Sequence, residues 1–148
     1  MVMFDKKETM MSDELKNKIG DRQLQIGMVI FPRLTQLDMT GPYEVLARLP
    51  NTKVHLVAHT MAPVKTDRGM EIVPTTTFAD CPQLDVVMVP GGPGQQDLME
   101  DATVLEFLRK QARGVKYLTS VCTGSLVLGA AGLLNGKRAT CHWPPSIT

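Results

Sequence analysis

The chain has 148 residues, fitting one ordinary domain, and 43% hydrophobic with 21% charged residues is the composition of a soluble globular protein rather than a disordered one. Sixteen Lys+Arg against fifteen Asp+Glu leave a formal net charge of +1, which argues against nucleic-acid or anionic-membrane partners, and an aromatic content of 5% argues against stacking platforms for single strands. No apolar run reaches the about 18 residues needed to span a bilayer, and three cysteines without a CxxC pair suit a reducing compartment, so the expected location is cytoplasmic.

Residues 1–22 carry five acids and five bases and read as a solvated, flexible leader, with one short helix from Asp13 to Ile19 ended by Gly20. A single domain then runs over 23–143. Leu24 to Phe31 (LQIGMVIF) is a nearly unbroken apolar run, as in a strand buried on both faces, and Pro32 ends it. Pro42 suits the first position of a helix that continues through Val45, Leu46 and Leu49 and closes at Pro50. Lys53 to Ala58 reads as a second strand, and 64–78 as a hairpin turning at Asp67-Arg68-Gly69. Asp85 to Val89 is a third buried strand running into Pro90-Gly91-Gly92-Pro93-Gly94. A helix follows at about Ala102 to Arg113, then a strand over Val115 to Val121, a helix from Ser125 to Leu134, and the start of a strand at Lys137 to Cys141. Strands alternating with helices imply an α/β fold, a parallel sheet flanked by helices on both faces. In such sheets ligands sit outside the carboxyl ends of the strands, which selects three segments: that of Asp38, the turn at 91–94, and the turn at Cys122.

Ser120-Val121-Cys122-Thr123-Gly124 has the small–x–nucleophile–x–small form of a nucleophile elbow with sulfur replacing oxygen. Small neighbours permit a sharp, strained turn, and a helix N-terminus behind the thiol would lower its pKa. The competing reading is a buried core cysteine. Gly91 and Gly92 serve either a tight turn or amides that donate to developing charge. Asp38 is either a pre-helix carboxylate bonding nearby amides or a general acid–base facing the crevice. His142 could orient or deprotonate Cys122, or be structural. His55 and His59 could share one strand face but have no third ligand, so no metal site is expected. Cys81, in the Asp80-Cys81-Pro82 turn, shows no partner.

The strings SVCTGSLVLGAAGLLNGKRAT-CHW, QLDMTGPYEVL and VPGGPG resemble the ThiJ/PfpI superfamily, which has a class I glutamine-amidotransferase-like, flavodoxin-like fold, over about Gln23 to Trp143. Within it the likeness is to the isonitrile hydratase branch. That resemblance implies Cys122 as nucleophile, Asp38 as the acid bonded to it, Thr123 as the hydroxyl after the nucleophile, Gly91 or Gly92 as the amide donor, and His142 near the site. Thr123 departs from the protease-like and deglycase-like branches, which usually carry His after the cysteine. The implied chemistry is hydration of isonitriles to N-substituted formamides through a thioimidate. It uses a small-molecule substrate, no cofactor and no metal, in a protein that forms a homodimer in full-length relatives. Two other readings stand beside it: a ligand-sensing domain of AraC-type transcription regulators, and an inactive fragment. Family members continue past His142-Trp143 with further strands and helices. The atypical tail over 144–148 therefore leads us to expect a premature end, with the last elements of the fold missing.

Overall fold

The run LQIGMV forms β1 (Leu24–Val29), buried along all its length but Gln25, in a computed structural model that describes residues 22–142. The leader through residue 21, with its expected helix, and the tail from residue 143 lie outside the described residues. Both flanks of β1 carry parallel partners. On one side Leu24 to Val29 pair in register with Thr52 to Val57 of β2 (Thr52–Ala58), and on the other Ile26 to Met28 pair with Val86 to Met88. Strand β6 (Val86–Val89) in turn pairs with β7 (Tyr117–Ser120), and β2 pairs with β5 (Thr76–Thr77), giving the order β5-β2-β1-β6-β7 with every pair parallel. A central strand with neighbours on both edges and helices over both faces meets no water, which is why β1 reads as continuous apolar sequence rather than alternation.

Helix α1 (Gln36–Leu46) crosses from β1 to β2. Helices α2 (Gln95–Glu100) and α3 (Ala102–Ala112) cross from β6 to β7, and α4 (Gly124–Ala130) follows β7. The first crossover steps one way along the sheet and the second the other way. The right-handed rule therefore sets α1 and α2–α3 on opposite faces. In α3 the buried residues are Val104, Phe107, Leu108 and Gln111, one stripe at i, i+3, i+4 and i+7. Asp101 caps it, accepting from the Thr103 and Val104 amides, and Arg109 and Lys110 occupy its last turn, where cations suit the helix dipole. The buried Gln111 side chain accepts from Leu84 N–H at 2.9 Å and donates to the Pro82 carbonyl at 2.9 Å, tying the loop before β6 to α3.

The amino ends of three strands converge on Asp85. Its carboxylate accepts from Gln25 N–H at 2.9 Å and from the Arg22 guanidinium, and its carbonyl accepts from Lys116 and Tyr117 N–H. Burial raises this carboxyl, but the Gln25 amide and the Arg22 charge outweigh it and hold it below its ordinary value.

Five elements differ from expectation. Helix α1 starts at Gln36, six residues before Pro42, which lies inside it. Strands β3 (Val64–Lys65) and β4 (Glu71–Ile72) form the hairpin around Gly69, but Thr76–Thr77 leave it to become the sheet-edge strand β5. The six-residue α2 occupies a stretch for which the sequence suggested no element. Helix α4 stops at Ala130, before Gly132 at φ +77°, rather than at Leu134. Residues 137–141 form no strand: the Thr140 carbonyl accepts from Ser125 Oγ at 3.1 Å and His142 N–H donates to the Cys122 carbonyl at 3.3 Å, so this segment is bonded to the start of α4 instead of a sheet edge. No helix among the described residues is long and apolar enough to cross a membrane.

Candidate active site

The sheet reverses its winding at β1 and β6, so the crevice beyond their carboxyl ends is the switch point where α/β ligands bind. Three connections meet there, those after β1, β6 and β7.

The turn after β7 carries Cys122 at φ +54°, a left-handed conformation that costs a non-glycine residue roughly 1–3 kcal/mol. Neighbouring main-chain bonds hold it there: Val121 N–H to the Val89 carbonyl at 3.0 Å, and Gly124 N–H to the Val121 carbonyl at 2.9 Å. Gly124 permits the bend, because a Cβ at that position would lie 2.1 Å from the Val89 carbonyl oxygen. This is the strained strand-to-helix elbow that the spacing of small residues predicts.

The turn after β6 presses against the elbow from the other side. A Cβ on Gly91 would lie 2.7 Å from both the amide nitrogen and the Oγ1 of Thr123, and 2.9 Å from Cys122 Cβ. The two glycine amides expected to face a ligand are directed at side chains. Gly91 N–H donates to Asp38 Oδ2 at 3.2 Å, and Gly92 N–H to Thr123 Oγ1 at 3.1 Å. The turn thus fixes the acid and the hydroxyl relative to each other, and the sulfur lies between them. The Cys122 thiol is hydrogen-bonded to Asp38 and to Thr123.

The electrostatics correct one expectation. The thiol pKa is raised, not lowered. Burial is the largest cause, and the negative charge of Asp38 and the S–H···carboxylate bond add to it. The Thr123 amide and hydroxyl favour the thiolate but do not prevail. Burial and the Asp38 carboxylate thus favour the thiol form over the thiolate.

His142 comes to the site through its backbone, the N–H bond to the Cys122 carbonyl. The other histidines are separated. His55 is buried with its Nε2 2.7 Å from Gln25 Oε1, whereas His59 pairs with Asp101. No group of three or more His, Cys, Asp or Glu among the described residues could hold a metal ion. Cys81 lies against the hydrophobic core, and burial pushes its thiol up to about 11.

Sequence reasoning missed the loop 31–35 and the hairpin as parts of the site. Thr35 N–H donates to the Gly91 carbonyl at 2.9 Å, Gly94 N–H to the Arg33 carbonyl at 3.3 Å, and Arg33 N–H to the Lys65 carbonyl at 2.9 Å. Asp67 N–H donates to the Leu34 carbonyl at 3.0 Å, and the Thr35 hydroxyl to Asp67 Oδ2 at 3.4 Å. The hairpin therefore braces the loop, and the loop braces the glycine turn. The signal was in the glycines themselves: a Cβ on Gly92 would fall 2.4 Å from Thr35 N, and one on Gly94 1.9 Å from the Pro32 carbonyl oxygen.

Known proteins are similar to this chain in sequence and fold. The DJ-1/PfpI family model matches residues 25–147. The isonitrile hydratase of Pseudomonas putida is 62% identical over 120 residues, 81% of this chain and 53% of that protein. The HTH-type transcriptional regulator GbdR of Pseudomonas aeruginosa is 32% identical over 125 residues, 80% of this chain and 34% of its own. A crystal structure of a ThiJ/PfpI family protein from Pseudomonas syringae superposes with a TM-score of 0.81 at 41% identity, over 96% of this chain and 57% of that one. The chain spans about half the length of the isonitrile hydratase it matches. A fold with five parallel strands, an elbow cysteine facing an acid at the switch point, and a family match across most of the described residues lead to one assignment: this chain belongs to the DJ-1/PfpI family.

Proposed function

We propose that this chain carries the reacting groups of an isonitrile hydratase. The observation that bears the reading is the thiol of Cys122 bonded to Asp38, itself held by Gly91 N–H. The likeness to the isonitrile hydratase of Pseudomonas putida supplies the substrate class.

The terminal carbon of an isonitrile accepts both a nucleophile and a proton. A thiol with a raised pKa, bonded to a carboxylate, has both to give. Asp38 takes the proton from Sγ as the sulfur adds to the carbon, and returns it to the same carbon, giving the thioimidate R–N=CH–S–Cys122. Asp38 then removes a proton from water as the oxygen adds to that carbon, and the nitrogen is protonated. The C–S bond breaks, the N-substituted formamide R–NH–CHO leaves, and the thiol is restored. Water is the only other reactant, so no electron is gained or lost overall. A sulfur of higher pKa is scarcer as thiolate but more nucleophilic once ionised. A base already on its proton removes most of the cost of that scarcity. Thr123, its hydroxyl set by Gly92 N–H, steadies the sulfur as its charge develops.

A second reading, a ligand-sensing domain, draws on the likeness to the transcriptional regulator. Incubation with a simple aliphatic isonitrile separates the two. The hydratase reading expects formamide at a rate that Cys122→Ala abolishes, whereas no formamide from a cooperatively folded sample would defeat it.

A further inference from the structure

The hairpin turn holds two charged neighbours in opposite settings. The Arg68 side chain is 92% exposed, whereas that of Asp67 is 19% exposed and faces the loop after β1. A carboxylate so far removed from water needs donors. The Arg68 guanidinium lies 4.0 Å away, and Arg33, on the facing loop, is paired with Asp97. The donor at Asp67 Oδ2 is the Thr35 hydroxyl, at 3.4 Å, and Asp67 N–H, bonded to the Leu34 carbonyl at 3.0 Å, fixes the residue beside it. Thr35 is the N-cap of α1. A Thr hydroxyl there ordinarily accepts from an amide of the first helical turn, but this one makes no such bond. Its main chain instead closes a ring with the acid. Thr35 N–H donates to the Gly91 carbonyl at 2.9 Å, Gly91 N–H to Asp38 Oδ2 at 3.2 Å, and Asp38 N–H to the Thr35 carbonyl at 3.1 Å. A Thr35 hydroxyl released from Asp67 can turn to accept from the Asp38 amide, which competes with the third bond of that ring.

We propose that Asp67 is a positioning residue for the acid: by holding the Thr35 hydroxyl away from the first turn of α1, it keeps Asp38 seated on Gly91 N–H and bonded to Cys122. Asp67 acts through Thr35 and not on the sulfur itself, since the negative charge that raises the Cys122 thiol is that of Asp38. The role needs an acceptor oxygen at position 67 and a donor hydroxyl at position 35. Asn and Ser therefore preserve it at those two positions, and Ala and Val do not. Its consequence for turnover rests on the hydratase reading, whereas its consequence for the sulfur does not.

The test reads the Cys122 thiol in the full chain and needs no substrate. The pH midpoint of its alkylation by iodoacetamide is followed by mass spectrometry of the tryptic peptide 117–137, in which Cys122 is the one cysteine, with circular dichroism as the check on folding. Asp67→Ala and Thr35→Val should each move the midpoint downward, the direction expected of Asp38→Asn, and no further than that variant does. The double variant should move it no further than either single one, because both changes break the same bond. Asp67→Asn and Thr35→Ser should stay at the wild-type midpoint. With a simple isonitrile, Asp67→Ala and Thr35→Val should lower kcat about 10-fold and leave KM unchanged. A wild-type midpoint in folded Asp67→Ala would overturn the proposal, and if that variant does not fold, a wild-type midpoint in Thr35→Val does the same. So would a shift in Asp67→Asn equal to that in Asp67→Ala, which would make the charge and not the bond responsible. Wild-type protein that makes no formamide defeats the hydratase reading alone, since the alkylation midpoints still decide the role of Asp67.

Discussion

Gly91→Ala tests whether the glycine turn positions the acid and the elbow. The added methyl would start 2.7 Å from Thr123 N and Oγ1 and 2.9 Å from Cys122 Cβ. Two of these atoms belong to the elbow's backbone or sit directly on it, so no side-chain rotation relieves the contact. Reaching ordinary contact at 3.4 Å requires the two turns to part by roughly 0.7 Å. Overpacking of this kind costs about 1–3 kcal/mol, which for a domain of this size lowers Tm by about 4–10 °C. The same displacement stretches the 3.2 Å bond from Gly91 N–H to Asp38 and the 3.1 Å bond from Gly92 N–H to Thr123. A misplacement near 1 Å costs about 100-fold in rate, so formamide production should fall about 10- to 100-fold. Thermal melts followed by circular dichroism and turnover of a simple isonitrile measure the two effects. A variant with wild-type Tm and wild-type turnover would refute the claim that this contact holds the site together.

Asp38 raises the Cys122 pKa by charge and by hydrogen bond, so Asp38→Asn should shift the pH midpoint of Cys122 alkylation downward while turnover collapses by about 100-fold or more. A midpoint that stays or rises would remove the carboxylate from the thiol's surroundings. Cys81, with its thiol near 11, should be the last cysteine alkylated by iodoacetamide at neutral pH, and labelling of Cys81 ahead of Cys122 would contradict its place in the core. The folded Asp85 carboxyl lies below its unfolded value, so its contribution is complete above the unfolded pKa and is lost as pH falls through the folded one. Asp85→Ala should therefore cost about 2–3 kcal/mol at pH 7 and much less in acid. A Tm difference that stays constant on acidification would show the clamp to be idle.

The sheet could be read from sequence because burial on both faces leaves a continuous apolar run, as in LQIGMV and VVMV, whatever the tertiary detail. The positions of Cys122, Asp38 and the glycine turn could be read because a parallel sheet gathers its strand ends on one edge. What lay beyond reading were quantities that depend on neighbours distant in sequence. The helix dipole argues for a depressed thiol pKa, but burial and Asp38, some eighty residues away, reverse the sign. The amides of Gly91 and Gly92 are local donors, but whether they meet a ligand or a side chain depends on α1 and α4. The segment 137–141 reads as the start of a strand, yet its Thr140 carbonyl is taken by Ser125 Oγ.

The displaced start of α1 shows the same conflict in energetic form. Gly41 and Pro42 are poor residues for a helix interior, and Pro42 offers no N–H to the Asp38 carbonyl one turn back. Propensity therefore places the boundary at Pro42. The helix nonetheless begins at Gln36, because tertiary contacts hold its first turn. Met39 is buried against the core, Thr35 N–H is bonded to the Gly91 carbonyl, and the Asp38 carboxylate is bonded to Gly91 N–H. Two of the three described non-glycine residues with positive φ, Arg33 and Cys122, lie in the same cluster of loops. Unfavourable backbone at three places around one crevice is what remains when a chain is held in a geometry that local preference opposes. A freely chosen boundary at Pro42 would leave Asp38 in a loop, with its distance to Cys122 set by solvent rather than by the sheet. The first turn of α1 is thus stabilised by the contacts that place the acid beside the sulfur, so loosening those contacts should fray the helix back toward Pro42 and disarm the thiol together. Amide hydrogen exchange at Asp38 to Thr40 in Gly91→Ala, faster there than in α3, is the measurement that checks this coupling.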